Sequence, residues 1–216
     1  MNFSFLPKYY MFYVVGMRNT LFLALFTVLL GVILGTFISL MRLSSKKLIK
    51  FIATAYIEFI RGTPVLIQLY IIFYSLPKIG IVLPDFVAAI VTLSINSAAY
   101  VAEIIRAGIQ AVDKGQMEAA RSLGLSHGNS MRYIIIPQAI KNILPALGNE
   151  FITVIKESSI VSFVGIAELS YNADTIRGIT FIPFEPLIIA ALLYFVMTFS
   201  LSKLIGHFER RMKTSD

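Results

Sequence analysis

The sequence contains no cysteine, only two histidines, and few charged residues for its length of 216. The absence of cysteine excludes disulfide bonds, zinc–thiolate sites and thiol catalysis, and His127 and His207 are too few and too far apart in the chain to indicate a histidine metal site. Charged residues make up 14% of the chain, against about a quarter in soluble domains. An ordinary soluble enzyme is therefore excluded.

The chain has an excess of hydrophobic residues. Hydrophobic residues make up 57% of it, and its mean hydropathy is +0.79. So large an excess has to be placed in lipid rather than in a protein core. The net charge of +7 would favour nucleic acid in a soluble protein, but here the basic residues cluster beside apolar runs, as orientation signals do. These features predict an integral membrane protein without a nucleic-acid partner.

Five apolar stretches predict five spanning helices. Residues 20–41 carry no charge, and at about 1.5 Å rise per residue they can cross a hydrocarbon layer of about 30 Å. The second stretch contains Gly62 and Pro64, which interrupt or kink its helix. We predict an all-α, polytopic membrane protein that forms one domain over residues 1–216. The predicted spans are approximately 20–41, 51–76, 86–112, 137–164 and 183–205.

Two further features of the first part of the chain bear on packing. The aromatic residues 1–16 lack the pattern of a signal peptide and predict a lead-in segment that lies in the membrane interface. Gly31 and Gly35, four apart in the first span, would let another helix approach closely, although chance accounts for this spacing equally well.

The distribution of basic residues predicts the orientation. If five spans alternate sides, eleven lysines and arginines fall on one side and four on the other. Because basic residues are enriched on the cytoplasmic side, the N-terminus is predicted outside, and the C-terminus and residues 113–136 in the cytoplasm.

The connection 113–136 predicts a helix, a sharp corner and a second helix. Glu118, Ala119 and Ala120 favour helix, Gly124 can adopt the left-handed conformation that ends it, and Ser126 can cap the next helix. Glu118 and Arg121 stand three apart and can pair. A connection this long indicates a docking surface, with a solvated loop as the alternative.

This segment, EAARSLGLSHGNSMRYIIIPQAI, resembles the cytoplasmic EAA loop in the permease subunits of bacterial ABC importers. Glu118-Ala119-Ala120, Gly124 and Ile136-Pro137 carry the resemblance. Other stretches resemble the branch that takes up polar amino acids, with two departures: Ala107, where Gly is frequent, and Glu157, where Asp is common. These stretches are EFIRGTP (58–64), AEIIRAGI (102–109) and KESSIVS (156–162).

The resemblance implies a mechanism and a set of partners. Two permease subunits form the pathway in the bacterial plasma (inner) membrane, each docks on one subunit of an ATPase dimer, and an extracytoplasmic solute-binding protein delivers the amino acid. The sequence lacks the pattern G-x-x-x-x-G-K-[S/T], so ATP is bound by the partner and this chain needs no cofactor. One chain can supply both halves of the pathway, which favours a homodimer, and a heterodimer stays open. The residues assigned to coupling are Glu118, Ala119, Ala120, Arg121 and Gly124.

Charged residues at membrane depth are costly and indicate function or pairing. Glu58 with Arg61, and Glu103 with Arg106, stand three apart and can pair, although Glu103 can also line a cavity.

Glu150, Thr153 and Glu157 share one helix face. We hypothesise that Glu150 binds the side chain of a basic amino acid (arginine, lysine or histidine). Pairing of Glu150 within the protein, and a glutamine or other polar substrate, are the alternatives. The candidate substrate ligands are Asn96, Ser97, Glu103, Asn149, Glu150, Thr153 and Glu157.

Three other classes of protein compete with a permease. A secondary transporter also uses intramembrane charge, but it usually shows repeated halves. A membrane-embedded enzyme needs a catalytic cluster, and the sequence shows no paired-aspartate, nucleophile-elbow or zinc signature. A channel or scaffold subunit leaves the structured loop unexplained.

Overall fold

The computed structural model describes residues 1–213, and within them the chain is helical and forms no strand. Short tight turns join several of the helices, and a wider helical turn at Met131–Ile135 leads into α7. The helices are α1 (Leu6–Arg42), α2 (Lys47–Arg61), α3 (Val65–Ser75), α4 (Asp85–Gln110), α5 (Lys114–Ser122), α6 (His127–Ser130), α7 (Ile136–Glu157), α8 (Leu169–Thr180) and α9 (Glu185–Lys213).

The first helix is longer than the first predicted span. Helix α1 has 37 residues and is about 55 Å long, which exceeds the thickness of the hydrocarbon layer. Its first turns pack against α8 and α9: Tyr13 is buried and donates to the carbonyl of Pro186 at 3.1 Å, and Asn172 donates to the carbonyl of Phe12 at 2.9 Å. The prediction of a separate interfacial lead-in over residues 1–16 is therefore wrong, because residues 6–16 continue the spanning helix and find packing partners more than 150 positions away.

Helices α1 and α4 pack closely against each other at two glycines of α1. A Cβ atom added at Gly31 would lie 2.9 Å from Ser97 Oγ, and one added at Gly35 would lie 2.7 Å from Val101 Cβ. The spacing of these two glycines therefore reflects a close helix approach. It also brings α1 against the part of α4 that carries Ser97.

The second predicted span is two helices at a sharp angle. Helices α2 and α3 are bent by 103° at the break formed by Gly62, Thr63 and Pro64. Gly62 ends α2, and Pro64, which has no N–H to donate, precedes α3. The predicted break at Gly62 and Pro64 is confirmed.

Three helices, α1, α4 and α9, are long and apolar enough to cross a membrane, and the bent pair α2–α3 makes a fourth candidate span. Helix α7, the fourth predicted span, carries Lys141, Glu150, Lys156 and Glu157 and contacts α1, α4 and α9. Its polarity is compatible with this central position, because its neighbours replace lipid around much of its surface. Helix α8 packs against α1 and α9.

Candidate functional site

The connection between α4 and α7 forms a capped helix and a sharp corner. Asp113 caps α5 by accepting from the N–H of Gly115 at 2.7 Å. Gly124 has a φ of +85°, the left-handed conformation that glycine adopts without strain. The N–H of Leu125 then donates to the carbonyl of Ala120 at 3.1 Å, and the hydroxyl of Ser126 accepts from the N–H of Asn129 to cap α6. The predicted helix, corner and second helix all form.

Side chains of α5 divide between an outer and an inner face. Glu118, Ala119 and Arg121 are exposed, and at the corner 85% of Leu123 is exposed. Ala120 is only 4% exposed, so it anchors α5 to its own chain instead of offering a free surface. Arg121 donates to the carbonyl of Leu125 at 2.8 Å. The predicted pair between Glu118 and Arg121 is therefore wrong, because the backbone of the corner provides a nearer acceptor.

Glu103 lies in an ion cluster at the end of α4. Its carboxylate bridges the guanidinium groups of Arg42 and Arg106, and Arg106 also donates to Gln110. The predicted pairing of Glu103 with Arg106 is confirmed. The second arginine, Arg42, comes from the far end of α1, which the spacing of charges within α4 does not indicate.

Glu58 and Arg61 do not pair. Both side chains are exposed, and the guanidinium of Arg61 lies over the ring of Tyr100, 5.3 Å from its centroid. A cation over an aromatic face is attracted by the electrons of the ring. The prediction of a pair within α2 is wrong, because Tyr100 of α4 provides an alternative partner.

Asn96 takes part in a clamp on the break between α2 and α3. It donates to Oε1 of Gln68 at 3.0 Å, and Nε2 of Gln68 donates to the carbonyl of Ile60 at 2.8 Å and to the hydroxyl of Thr63 at 2.9 Å. The amide of Gln68 thus satisfies backbone and side-chain groups that the break leaves without helical partners. Sequence reasoning missed Gln68; a polar residue four positions after Pro64 was the only available signal.

Ser97 and Glu150 meet between α4 and α7. The hydroxyl of Ser97 donates to Oε1 of Glu150 at 2.8 Å, and only 9% of Glu150 is exposed. No cation pairs with this carboxylate anywhere in residues 1–213. Thr153 and Glu157 are half-buried further along α7, and Asn149 is exposed beside Glu150. The structure therefore brings Ser97 to Glu150, while Asn96 and Glu103 are engaged elsewhere.

Glu168 is a second buried carboxylate, which sequence reasoning missed. It has no exposed surface and accepts from the N–H of Tyr171 at 2.7 Å, the hydroxyl of Tyr194 at 2.5 Å and the hydroxyl of Thr20 at 3.4 Å. It caps α8 and ties that helix to α1 and α9. The only available signal was one of the chain's few acids standing directly before a helix, a place where serine, threonine, aspartate and asparagine are usual.

Residues 17–214 match the family described as "Binding-protein-dependent transport system inner membrane component". The chain belongs to this family. It is 44% identical over 202 residues to the "Arginine transport system permease protein ArtQ" of Bacillus subtilis (strain 168), covering 93% of this chain and 92% of that one. It is 40% identical over 215 residues to the "Probable glutamine ABC transporter permease protein GlnM" of the same organism, covering 100% of both.

A solved structure described as "Crystal structure of an amino acid ABC transporter with histidines" superposes with a TM-score of 0.95 at 56% identity, covering 98% of this chain and 99% of that one. The chain is thus the permease subunit of an amino acid ABC importer, an inner-membrane component that works with an ATPase and a binding protein. It is a transport subunit and not an enzyme, and ATP hydrolysis resides on the separate ATPase chain. The three alternatives, a secondary transporter, a membrane-embedded enzyme and a channel or scaffold subunit, are therefore rejected.

Proposed function

We propose that this permease carries a basic amino acid and that the carboxylate of Glu150 binds its cationic side chain. The observation that carries the proposal is a nearly buried carboxylate with no cation paired to it in the described residues. A charge at membrane depth without a partner is costly. An arginine, lysine or histidine side chain would supply the missing positive charge.

The contacts of Glu150 leave one of its oxygens without a hydrogen bond from the described residues. Oε1 accepts from Ser97, while Oε2 accepts no hydrogen bond from residues 1–213. Charge-assisted hydrogen bonds to a carboxylate are about twice as strong as neutral ones. In this proposal, Asn149 and Thr153 of α7 bind polar groups of the same substrate. Asn96 and Glu103, which bond to Gln68 and to two arginines, are weaker candidates.

The relatives support the substrate class and also keep one alternative open. The arginine permease ArtQ and the transporter with histidines both favour a basic substrate. The relative GlnM favours glutamine equally. Glutamine has no positive charge to offer Glu150, so the two substrates make different demands on this carboxylate.

The test compares a buried carboxylate with an exposed one. In proteoliposomes with the ATPase and the binding protein, Glu150→Gln should lower arginine uptake tenfold or more, because a charged hydrogen bond of about 1.5–3 kcal/mol is lost, while glutamine uptake persists. Glu58→Gln, at an exposed carboxylate of α2 that belongs to no proposed site, is the control. A Glu150→Gln protein that keeps the normal ratio of arginine to glutamine uptake would contradict the proposal.

We further propose that the connection 113–136 docks on the ATPase. Glu118, Ala119, Arg121 and Leu123 form the exposed surface, Ala120 anchors α5, and Gly124 sets the angle of the corner. Gly124→Ala places a side chain at positive φ and strains the corner by about 1–2 kcal/mol. Gly128→Ala, in helix α6 with open space around it, is the control. Normal substrate-stimulated ATP hydrolysis in the Gly124→Ala complex would contradict this role.

The remaining proposals concern topology and assembly: five spans with α7 as the fourth, one domain over residues 1–216, the N-terminus outside, the C-terminus in the cytoplasm, and a homodimer. Because the chain has no cysteine, single replacements report directly on sidedness. An impermeant thiol reagent added to intact cells should label Asn2→Cys and spare Ser122→Cys. The reverse pattern would invert the orientation, and co-purification of two differently tagged copies tests the homodimer.

A further inference from the structure

The ends of α1 and α4 and the start of α2 enclose a cationic cavity of about 250 Å³. Its walls are Arg42, Leu43, Lys50, Arg106 and Gln110. It directly follows the predicted first span, residues 20–41, so we expect it where the hydrocarbon layer gives way to headgroups. None of these residues takes part in the proposed substrate site or in the proposed ATPase contact.

The charges of this cavity do not cancel. Glu103 is shared between Arg42 and Arg106, so one acid faces two guanidinium groups. Lys50 is exposed and pairs with no acid in the described part of the chain. Three cations and one carboxylate leave a net charge of about +2 (3 − 1).

The two arginines are held in place before any ligand arrives. The Glu103 carboxylate bridges them, and the side chain of Gln110 accepts from Arg106. Both guanidinium groups remain partly exposed, at 20% for Arg42 and 26% for Arg106. Because the bridge restricts both side chains, less conformational entropy is lost when an anion binds. Arginine and lysine are the side chains that bind phosphate most often.

Apolar side chains are exposed on the same two helix ends that line the cavity. The end of α1 exposes Leu40 and Leu43, and the start of α2 exposes Leu48 and Phe51. Apolar side chains beside the cavity would contribute nothing to the binding of a free anion. A phospholipid, by contrast, presents a phosphate next to acyl chains that these side chains can contact. Basic pockets between spanning helices bind anionic headgroups in this way.

We propose that this cavity binds the phosphate of an anionic phospholipid headgroup, with Arg42, Lys50 and Arg106 as its ligands and the exposed leucines and Phe51 against the acyl chains. A zwitterionic lipid brings an ammonium group into a cationic cavity, and the neighbouring acid, Glu103, is already bridged by two arginines. A zwitterionic lipid therefore binds less well. In the proposed orientation this lipid belongs to the cytoplasmic leaflet.

The test uses the intact permease–ATPase complex, delipidated and titrated with phosphatidylglycerol or phosphatidylcholine, with bound lipids counted by native mass spectrometry. Lys50→Gln should weaken phosphatidylglycerol binding about fivefold. Lys47→Gln removes the same charge from an exposed position on the same helix, outside the cavity, and should have no such effect. Neither lysine has an ion pair within residues 1–213, so both variants should fold.

Three results would overturn the proposal. Equal losses in both variants would mean that the basic residues attract anionic lipid only through the general field of the surface. Equal binding of phosphatidylcholine would remove the requirement for an anionic headgroup. Displacement of phosphatidylglycerol by millimolar inorganic phosphate would assign the cavity to free phosphate.

Discussion

Glu168 and Glu150 are both carboxylates removed from solvent, and neither pairs with a cation within residues 1–213. They differ in the number of hydrogen bonds that other residues of the chain donate to them. Glu168 receives hydrogen bonds from Thr20 of α1, from Tyr194 of α9 and from the N-terminus of α8. Glu150 receives one, from Ser97 of α4.

The difference separates a structural role from a ligand-binding one. A buried charge is tolerated when hydrogen bonds replace the water it has lost. Glu168 has these bonds in the absence of any ligand, so it holds three helices together. Glu150 has bonding capacity left over, which is the condition for binding something that is not part of the chain.

The largest effect should follow from Glu168→Ala. The change removes the acceptor of hydrogen bonds from Tyr171, Tyr194 and Thr20, and should lower the free energy of unfolding by about 3 kcal/mol. Thermal unfolding of the permease–ATPase complex measures it. Glu58→Ala, at an exposed carboxylate on α2 outside the proposed ATPase contact, is the control. Equal melting temperatures for both variants would remove the structural role of Glu168.

A smaller effect should follow from Gln68→Leu, which opens the clamp at the break between α2 and α3. The carbonyl of Ile60 and the amide of Asn96 lose their partner, at a cost of about 2 kcal/mol. Asn142→Leu, at an exposed amide on α7, is the matched change. If the Gln68 variant has the same melting temperature as the wild type, the bend is maintained by Gly62 and Pro64 without the clamp.

Tyr194→Phe removes one donor from Glu168 and keeps the ring. The expected loss of stability is about 1.5 kcal/mol, the value of one hydrogen bond to a charged group. Tyr10→Phe, at an exposed tyrosine of α1, should change nothing. A loss as large as that of Glu168→Ala would mean that the Tyr194 hydroxyl carries the whole network.

Glu150→Gln should have the smallest effect on stability, below about 1 kcal/mol, because an amide oxygen can still accept from Ser97 and a buried charge is removed. The same variant should lose arginine uptake. Stability measured beside transport therefore separates the two carboxylates. If the Glu150 variant unfolds as easily as the Glu168 variant, the distinction between them fails.

Local rules predicted the parts of the molecule whose partners are close in sequence. The capped helix before Gly124, the cap at Ser126 and the break at Gly62 and Pro64 all depend on hydrogen bonds within about five residues. The family was also recognisable from the segment around Glu118. For these features the residue type alone determines which backbone conformation is available.

The features that the sequence did not predict depend on distant partners. Thr20 and Glu168 are 148 positions apart, Arg42 and Glu103 are 61 apart, and Tyr13 bonds a carbonyl 173 residues later. Arg61 and Arg121 each had a candidate acid three residues away and bound a different group. A nearby opposite charge is a weak predictor, because aromatic rings and backbone carbonyls compete for the same guanidinium.

The sequence by itself determined that this chain belongs in a membrane, because its hydropathy carries that information. Glycine and proline determined at which positions its helices break and turn, and a local motif indicated that it works with a separate ATPase. Only the tertiary structure decided which buried acids are satisfied and which are not. Hydrogen-bond satisfaction depends on which helices pack together. In the described residues, that packing gives Glu168 donors on both carboxylate oxygens and Glu150 a donor on only one.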